Sequence, residues 1–158
     1  VVFFEPKRQY HADKAELDES VQPQPLFTSR VVREGTDLTL LAYGPMVKTC
    51  LQAAQAAQEE GRSLEVIDLR SLSPLDEEAV LASARKTGRV VVVHEASTFL
   101  GMGSEISALV TERAFHHLEA PVLRVGGYNV PYPPSRIEEE FLPDLDRVLD
   151  AVDRLMAY

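Results

Sequence analysis

Four consecutive valines, Val90 to Val93, constrain this chain more than any other feature. β-Branched side chains favour strands, and a run with no polar alternation suits a strand buried on both faces. That is the habit of a parallel sheet covered by helices. A loop carrying His94 and Glu95 follows, and Gly101 and Gly103 then open a helix. In open α/β sheets, ligands meet the protein at the carboxyl ends of such strands. The stretch from Gly88 to Val110 therefore specifies a fold class without specifying a reaction.

At 158 residues and 45% hydrophobic content, the chain suits one domain. A domain of that size buries roughly 70% of its unfolded surface. The net charge of −9 argues against nucleic acid or an anionic membrane as a partner. No apolar run approaches the ~20 residues that span a bilayer, and no signal-peptide pattern opens the sequence. Cys50 is the single cysteine and sits on a helical apolar stripe, so it belongs in the core. A reducing, intracellular compartment follows.

Val1-Val2-Phe3-Phe4 is a strand-grade run with nothing before it to pair with. Residues 1–8 read as the last strand of a missing domain. Residues 9–33 are polar and contain Pro23 and Pro25, so they read as a connector. Residues 34–158 read as a complete domain in which strands and helices alternate.

Within it, Asp37 to Ala42 is a strand and Met46 to Glu60 a helix, with Val47, Cys50, Leu51, Ala54 and Ala57 on one stripe and Gly61 as its stop. Leu64 to Leu69 is the second strand. Ser73 is the expected N-cap of the next helix, with Pro74 at its first position and Gly88 at its end. The valine strand leads to a helix from about Gly103 to His117, and Pro121 to Val125 is a fourth strand. Gly126 to Pro134 reads as a loop. Asp144 to Met156 is a last helix with Leu145, Val148, Leu149, Val152, Leu155 and Met156 on its apolar face. The pattern predicts an α/β fold, a three-layer αβα sandwich with a mostly parallel sheet.

Candidate chemistry gathers at the strand ends. His94 and Glu95 suit an acid/base pair, or an imidazole oriented by a carboxylate. Neighbours leaving a strand point to opposite sides, however, which favours a structural hydrogen bond. Asp68 and Arg70 are two apart, share a face, and are suited to tying loops together. Gly101-x-Gly103-Ser104 at a helix start is compatible with an anion cradle or with a tight turn against the sheet. Walker loops, nucleophile elbows and zinc-spaced Cys/His sets are absent. His116-His117 falls on different helical faces, which disfavours a shared metal. Glu138-Glu139-Glu140 reads as a solvated run.

In order along the chain stand Phe3-Phe4-Glu5-Pro6-Lys7-Arg8, Glu34-Gly35-x-Asp37-Leu38-Thr39-Leu40, Glu65-Val66-Ile67-Asp68-Leu69-Arg70-Ser71-Leu72-x-Pro74-x-Asp76, Lys86-Thr87-Gly88-Arg89, His94-Glu95-Ala96, Leu118-Glu119-Ala120-Pro121 and Gly127-Tyr128-Asn129-Val130-Pro131-Tyr132-Pro133. Together they resemble the carboxy-terminal part of the β subunit of the E1 component of 2-oxo acid dehydrogenase complexes, including its transketolase C-terminal domain. Phe-Phe-Glu-Pro-Lys and Gly-Tyr-x-x-Pro-Tyr-Pro are nearest the branched-chain form, with the pyruvate form second. Three places depart from the family pattern: Asn129 replaces a usual Asp, Leu75 a common Trp, and Ala96 to Gly103 is an altered glycine loop.

The resemblance implies an α2β2 oxidoreductase that uses thiamine diphosphate with Mg, decarboxylates branched-chain 2-oxo acids and acylates the lipoyl group of the E2 acyltransferase. It places the cofactor between the α subunit and the β subunit's amino-terminal domain, so no catalytic, cofactor-binding or metal residue is expected here, and the isolated chain is expected to be inactive. The implied partners are the α subunit, a second β subunit and E2. The implied location is the bacterial cytoplasm, or the mitochondrial matrix in a eukaryote. Carried over from the family, Glu119 and the terminal carboxylate at Tyr158 are the candidate acceptors for E2 Lys or Arg groups. Asp68, Arg70, His94 and Glu95 are expected to be structural. Two other readings stand beside this one: a free-standing interaction module, and a ligand-binding α/β domain using the Gly101–Gly103 loop.

Overall fold

The computed structural model describes residues 2–11, 16, 20 and 23–158. The strand β2 (Leu38–Ala42) is buried along its whole length at the centre of a five-stranded sheet. Strand β3 (Leu64–Asp68) pairs with one of its edges and β4 (Val90–Ser97) with the other, both parallel. Strand β5 (Leu123–Gly127) adds in parallel to β4, and β1 (Arg30–Arg33) runs antiparallel along β3. The order is β1-β3-β2-β4-β5.

The valine run shows why such a strand carries no alternation. Val91 and Val93 pack with Leu38, Leu40, Val66 and Cys50 in one apolar layer. Val90 and Val92 pack with Leu41, Ile67 and Val80 in the other. Helices α1 (Met46–Glu59) and α5 (Leu145–Met156) cover the first face. Helices α2 (Glu77–Thr87) and α3 (Met102–Ala114) cover the second. This is the expected three-layer α/β sandwich, with a period-2 strand facing two cores at once. Cys50 lies in the first layer, where burial pushes its thiol up to about 12.

Polar side chains within the second layer satisfy one another. The Thr39 hydroxyl lies 2.6 Å from that of Ser83 and 2.8 Å from that of Thr87. Ser83 also donates to Glu65, whose carboxylate is ion-paired with Lys86. Buried hydroxyls without such partners would each cost about 1–3 kcal/mol.

Several boundaries differ from expectation. The ordered sheet begins inside the expected connector of residues 9–33, because Arg30–Arg33 forms the antiparallel edge strand. Four residues with an arginine at each end, and a register irregularity between Val31 and Arg33, leave almost no periodic signal. Helix α2 starts at Glu77, capped by Asp76 and not by Ser73. The Asp76 carboxylate accepts from Ala79 N–H at 3.2 Å and from Ser29 N–H at 2.7 Å, a long-range bond that local sequence does not reveal. Strand β4 continues through His94 and Glu95, which were expected in a loop. Helix α3 ends at Ala114, and Phe115–His117 is a 3-10 turn. Strand β5 includes Gly126 and Gly127, read from sequence as loop. A Cβ on Gly127 would sit 2.6 Å from the Glu95 carbonyl, so close strand contact and not a turn explains these glycines. The glutamate run forms a single turn, α4 (Glu138–Phe141), that buries Phe141.

The apolar run at the start is not a strand in this chain. Val2, Phe3 and Phe4 are exposed with no regular structure, and Lys7–His11 form a 3-10 turn. Val1 lies outside the described residues. A strand needs a backbone partner, and the described residues supply none there.

Candidate functional site

The sheet's carboxyl end is where the sequence concentrates candidate residues. Its organising group is His94, fully buried in β4. Its Nδ1 lies 2.9 Å from the Ala96 carbonyl and its Nε2 accepts the Gly103 N–H at 3.1 Å. A carbonyl only accepts and an N–H only donates, so this network assigns the neutral tautomer with the proton on Nδ1. Burial, foremost, and the Arg124 charge hold the imidazole below its ordinary pKa, against the opposing bond to Ala96. Tyr43, just beyond β2, stacks on the ring at 6.0 Å between centroids.

Three glycines close around this ring. A Cβ on Gly103 would fall 2.6 Å from Nε2, and one on Gly101 2.8 Å from Cε1. A Cβ on Gly126 would fall 3.0 Å from Cε1. The gap between the carboxyl ends of β2 and β4, where crossovers leave in opposite directions and α/β sheets take ligands, is filled by the protein's own imidazole. The Gly103 N–H that would serve an anion cradle is bonded to His94 instead. Glu95 does not orient the imidazole, because both ring nitrogens are bonded to backbone. It is half-buried and sends its charge toward Tyr43, whose pKa is raised mainly by burial and secondarily by Glu95.

Asp68 ends β3 half-buried, its carboxylate accepting from Arg70 N–H at 3.2 Å. Burial raises its pKa, opposed by that N–H and by the Arg70 and Arg30 charges. Arg70 adopts a left-handed φ of 57° and donates to Gln24. Gln24 in turn donates to the Ser29 carbonyl at 3.0 Å. The two residues thus anchor the segment before β1 to the end of the sheet. Beyond β4 and β5 the same end displays Phe99, Leu100, Tyr128, Val130 and Tyr132 to solvent.

The opposite, amino end gathers Glu119 and the chain's last residues. Glu119 precedes β5, and its backbone N–H donates to the Gly88 carbonyl at 2.8 Å. Its carboxylate is ion-paired with Arg89, which precedes β4. Arg89 Nε also donates to the Leu155 carbonyl at 3.1 Å, in the last turn of α5. Tyr158 N–H lies 3.4 Å from that same carbonyl, and the Tyr158 side chain is exposed. The two candidate acceptors, 39 residues apart in sequence, therefore share one end of the sheet. Lys86 holds Glu34 at 2.7 Å nearby.

Sequence reasoning missed Arg89, although Lys86-Thr87-Gly88-Arg89 held it between a helix stop and a buried strand. It also missed Arg147. That guanidinium donates to the Gly126 carbonyl, lies 4.6 Å above the Tyr128 ring, and leaves Nη1 buried with no partner among the described residues. A shallow groove of about 590 Å³ runs beside it, lined by Thr98, Arg124, Asp144, Asp150 and Arg154. Its charges are of both signs. Among the described residues no cluster of three His, Cys, Asp or Glu side chains is placed to hold a metal ion, His116 and His117 included. None of their helices is long and apolar enough to cross a membrane.

Residues 28–148 match the family model of the transketolase C-terminal domain. Over 158 residues the chain is 54% identical to the pyruvate dehydrogenase E1 component subunit beta of Leifsonia xyli, covering 100% of this chain and 47% of that protein. It is 47% identical to the 3-methyl-2-oxobutanoate dehydrogenase subunit beta of Mycobacterium tuberculosis, covering 99% of this chain and 45% of that one. The mitochondrial 2-oxoisovalerate dehydrogenase subunit beta of Dictyostelium discoideum is 42% identical, covering 100% of this chain and 43% of its own. Among solved structures, a split-gene transketolase in an inactive beta4 tetramer superposes with a TM-score of 0.75 at 30% identity, covering 89% of this chain and 45% of that one. The chain spans about half the length of the curated relatives it matches.

Proposed function

The chain belongs to the transketolase C-terminal domain family, and on that premise we propose that it is the carboxy-terminal part of an E1 β subunit. The whole enzyme would be an α2β2 2-oxo acid dehydrogenase that uses thiamine diphosphate with Mg, decarboxylates branched-chain 2-oxo acids and acylates the lipoyl group of E2. The observation that carries this reading is the end-to-end similarity to β subunits of that kind. Residues 1–8 then close a pyrimidine-binding domain that supplies their strand partner, and the connector, shortened to residues 9–29 by the edge strand Arg30–Arg33, links it to the domain that follows. The bacterial cytoplasm or the mitochondrial matrix is the corresponding location.

The part played by this domain is subunit assembly and E2 docking. The crevice outside β2 and β4 does not fit thiamine diphosphate, because His94 and its glycines close it. No catalytic step is therefore assigned to this chain. The apolar carboxyl end suits contact with neighbouring subunits. At the amino end, Glu119 and the carbonyl-rich terminus of α5 present partial and full negative charge to a basic E2 surface.

Pyruvate is the second reading of the substrate, favoured by the 54% identical relative. Reconstitution of the full-length β subunit with its α subunit and thiamine diphosphate tests both. Turnover of 3-methyl-2-oxobutanoate above pyruvate is expected, and the reverse ranking replaces the first reading by the second. Turnover of neither, in an assembled tetramer, removes the proposal. Glu119→Lys should weaken E2 capture in a binding titration, and unchanged affinity would take Glu119 out of the docking surface.

A further inference from the structure

At the amino end, the residue that shapes the surface is not an acid but a cation. Resting on the reading of this end as the docking site for a basic partner, we propose that Arg89 is a positioning residue. It holds the Glu119 carboxylate and the last turn of α5 at a fixed spacing, so that a partner's Lys or Arg groups meet a preformed pair of acceptors. The Arg89 side chain is only 19% exposed, whereas that of Glu119 is 60% exposed. Its planar fork reaches two separate elements: Nε goes to the Leu155 carbonyl at 3.1 Å, and Nη1 to Glu119 Oε2. Lys86 shows that an ammonium also reaches two acceptors, but from one nitrogen on a flexible stem. Arg89 reaches its two from separate nitrogens of one rigid plane, which fixes the spacing between them.

The backbone is shaped to the same end. Gly88 adopts a left-handed φ of 67°, and a Cβ there would fall 2.9 Å from Glu119 Cγ. The Glu119 N–H is fixed to the Gly88 carbonyl, so its main chain and carboxylate are both tied to consecutive residues. Arg89 takes Oε2, and the Glu119 side chain is 60% exposed, so the carboxylate keeps lone pairs facing solvent. The Leu155 carbonyl at the end of α5 that takes Arg89 also lies 3.4 Å from the Tyr158 N–H, so the guanidinium and the end of the chain share one acceptor. That helix end carries partial negative charge, which favours cations. Holding the acceptors still before the partner arrives removes an ordering cost from binding.

The sign of one substitution separates positioning from simple charge. Arg89→Met removes a positive charge from a surface that meets a cationic partner, so the field alone predicts tighter binding. Positioning predicts the opposite, a loss of about tenfold in affinity, equivalent to about 1.4 kcal/mol. Arg89→Lys keeps the charge and should lose about fivefold with an unchanged salt slope, because only geometry differs. The measurement is calorimetric titration of the assembled full-length enzyme with the isolated basic docking domain of E2, at several salt concentrations. Unfolding temperatures of both variants are measured alongside to confirm that they are folded. Tighter or unchanged binding by Arg89→Met, or wild-type binding by Arg89→Lys, overturns the assignment. Glu119→Gln distinguishes the underlying reading: if it binds like the wild type, the docking surface itself is misplaced and Arg89 has nothing to position.

Discussion

At the carboxyl end of the sheet a buried, uncharged imidazole is held by two backbone groups and ringed by glycines. At the amino end a guanidinium and a carboxylate meet partly in solvent. Both ends use one polar side chain to join elements distant in sequence, but the energetics differ in kind. Around His94, desolvation is complete, so any change leaves backbone groups unpaired or a void unfilled. Around Arg89 and Glu119, water screens the pair and substitutes for it, so little folding energy is at stake. An end that is expensive to alter and offers no free polar group suits a structural keystone. An end whose polar groups matter little to folding can have their arrangement set by what a partner needs, without cost to the core.

The sharpest way to break this contrast is His94→Ala. The substitution opens a cavity beneath Tyr43 and leaves the Gly103 N–H and the Ala96 carbonyl without partners. A loss of about 3–4 kcal/mol is expected from the void and the two unpaired groups together. Urea unfolding of wild type and variant measures it through the midpoint at constant slope. A loss below about 1 kcal/mol would mean that the loop relaxes onto water and that His94 is no keystone.

A second effect, smaller, comes from pH. The folded-state pKa of His94 lies below its ordinary value, chiefly through burial. Between the two values the unfolded chain carries the extra proton, so its contribution to stability is fully present above about pH 6.5 and falls as the pH drops. The slope is at most about 1.4 kcal/mol per pH unit, and it ends once the pH passes the folded value. Asp68 works the other way lower down: its pKa is raised, so the folded state takes up its proton first and gains relative stability on acidification. The gap in unfolding free energy between wild type and His94→Ala should therefore narrow from pH 7 to pH 5.5. A gap that stays constant would place the imidazole in contact with water.

How much of this was legible beforehand follows the range of the interactions. Val90 to Val93, the apolar stripe of α1 and the face of α5 are periodic within a dozen residues, and the core layers follow them. The edge strand Arg30–Arg33 has no such period, because only β3 defines it. Asp76 displaces Ser73 as a cap because it also bonds Ser29, 47 residues away. Gly101 and Gly103 read equally well as a phosphate loop until the His94 ring is seen between them. Local pattern marks where glycine is needed but not what approaches it. Arg89 was written within a matched motif, yet its work lies in bonds to Glu119 and Leu155, which no spacing announces.

The smallest expected effect completes the contrast. Glu119→Gln keeps the shape of the side chain and removes the charge facing Arg89. Because the carboxylate is mostly exposed, the folded state should lose about 0.5 kcal/mol or less. The amide oxygen still accepts from the guanidinium, so even part of that loss is recovered. Thermal unfolding at low and high salt checks it: the two proteins should converge as salt rises, since exposed pairs are screened within about 10 Å at 0.1 M. A loss comparable to that of His94→Ala, persisting at high salt, would make Glu119 a folding residue as much as His94 is. The two ends would then no longer differ in kind, and the pair at the amino end would be explained by folding without any need for a partner.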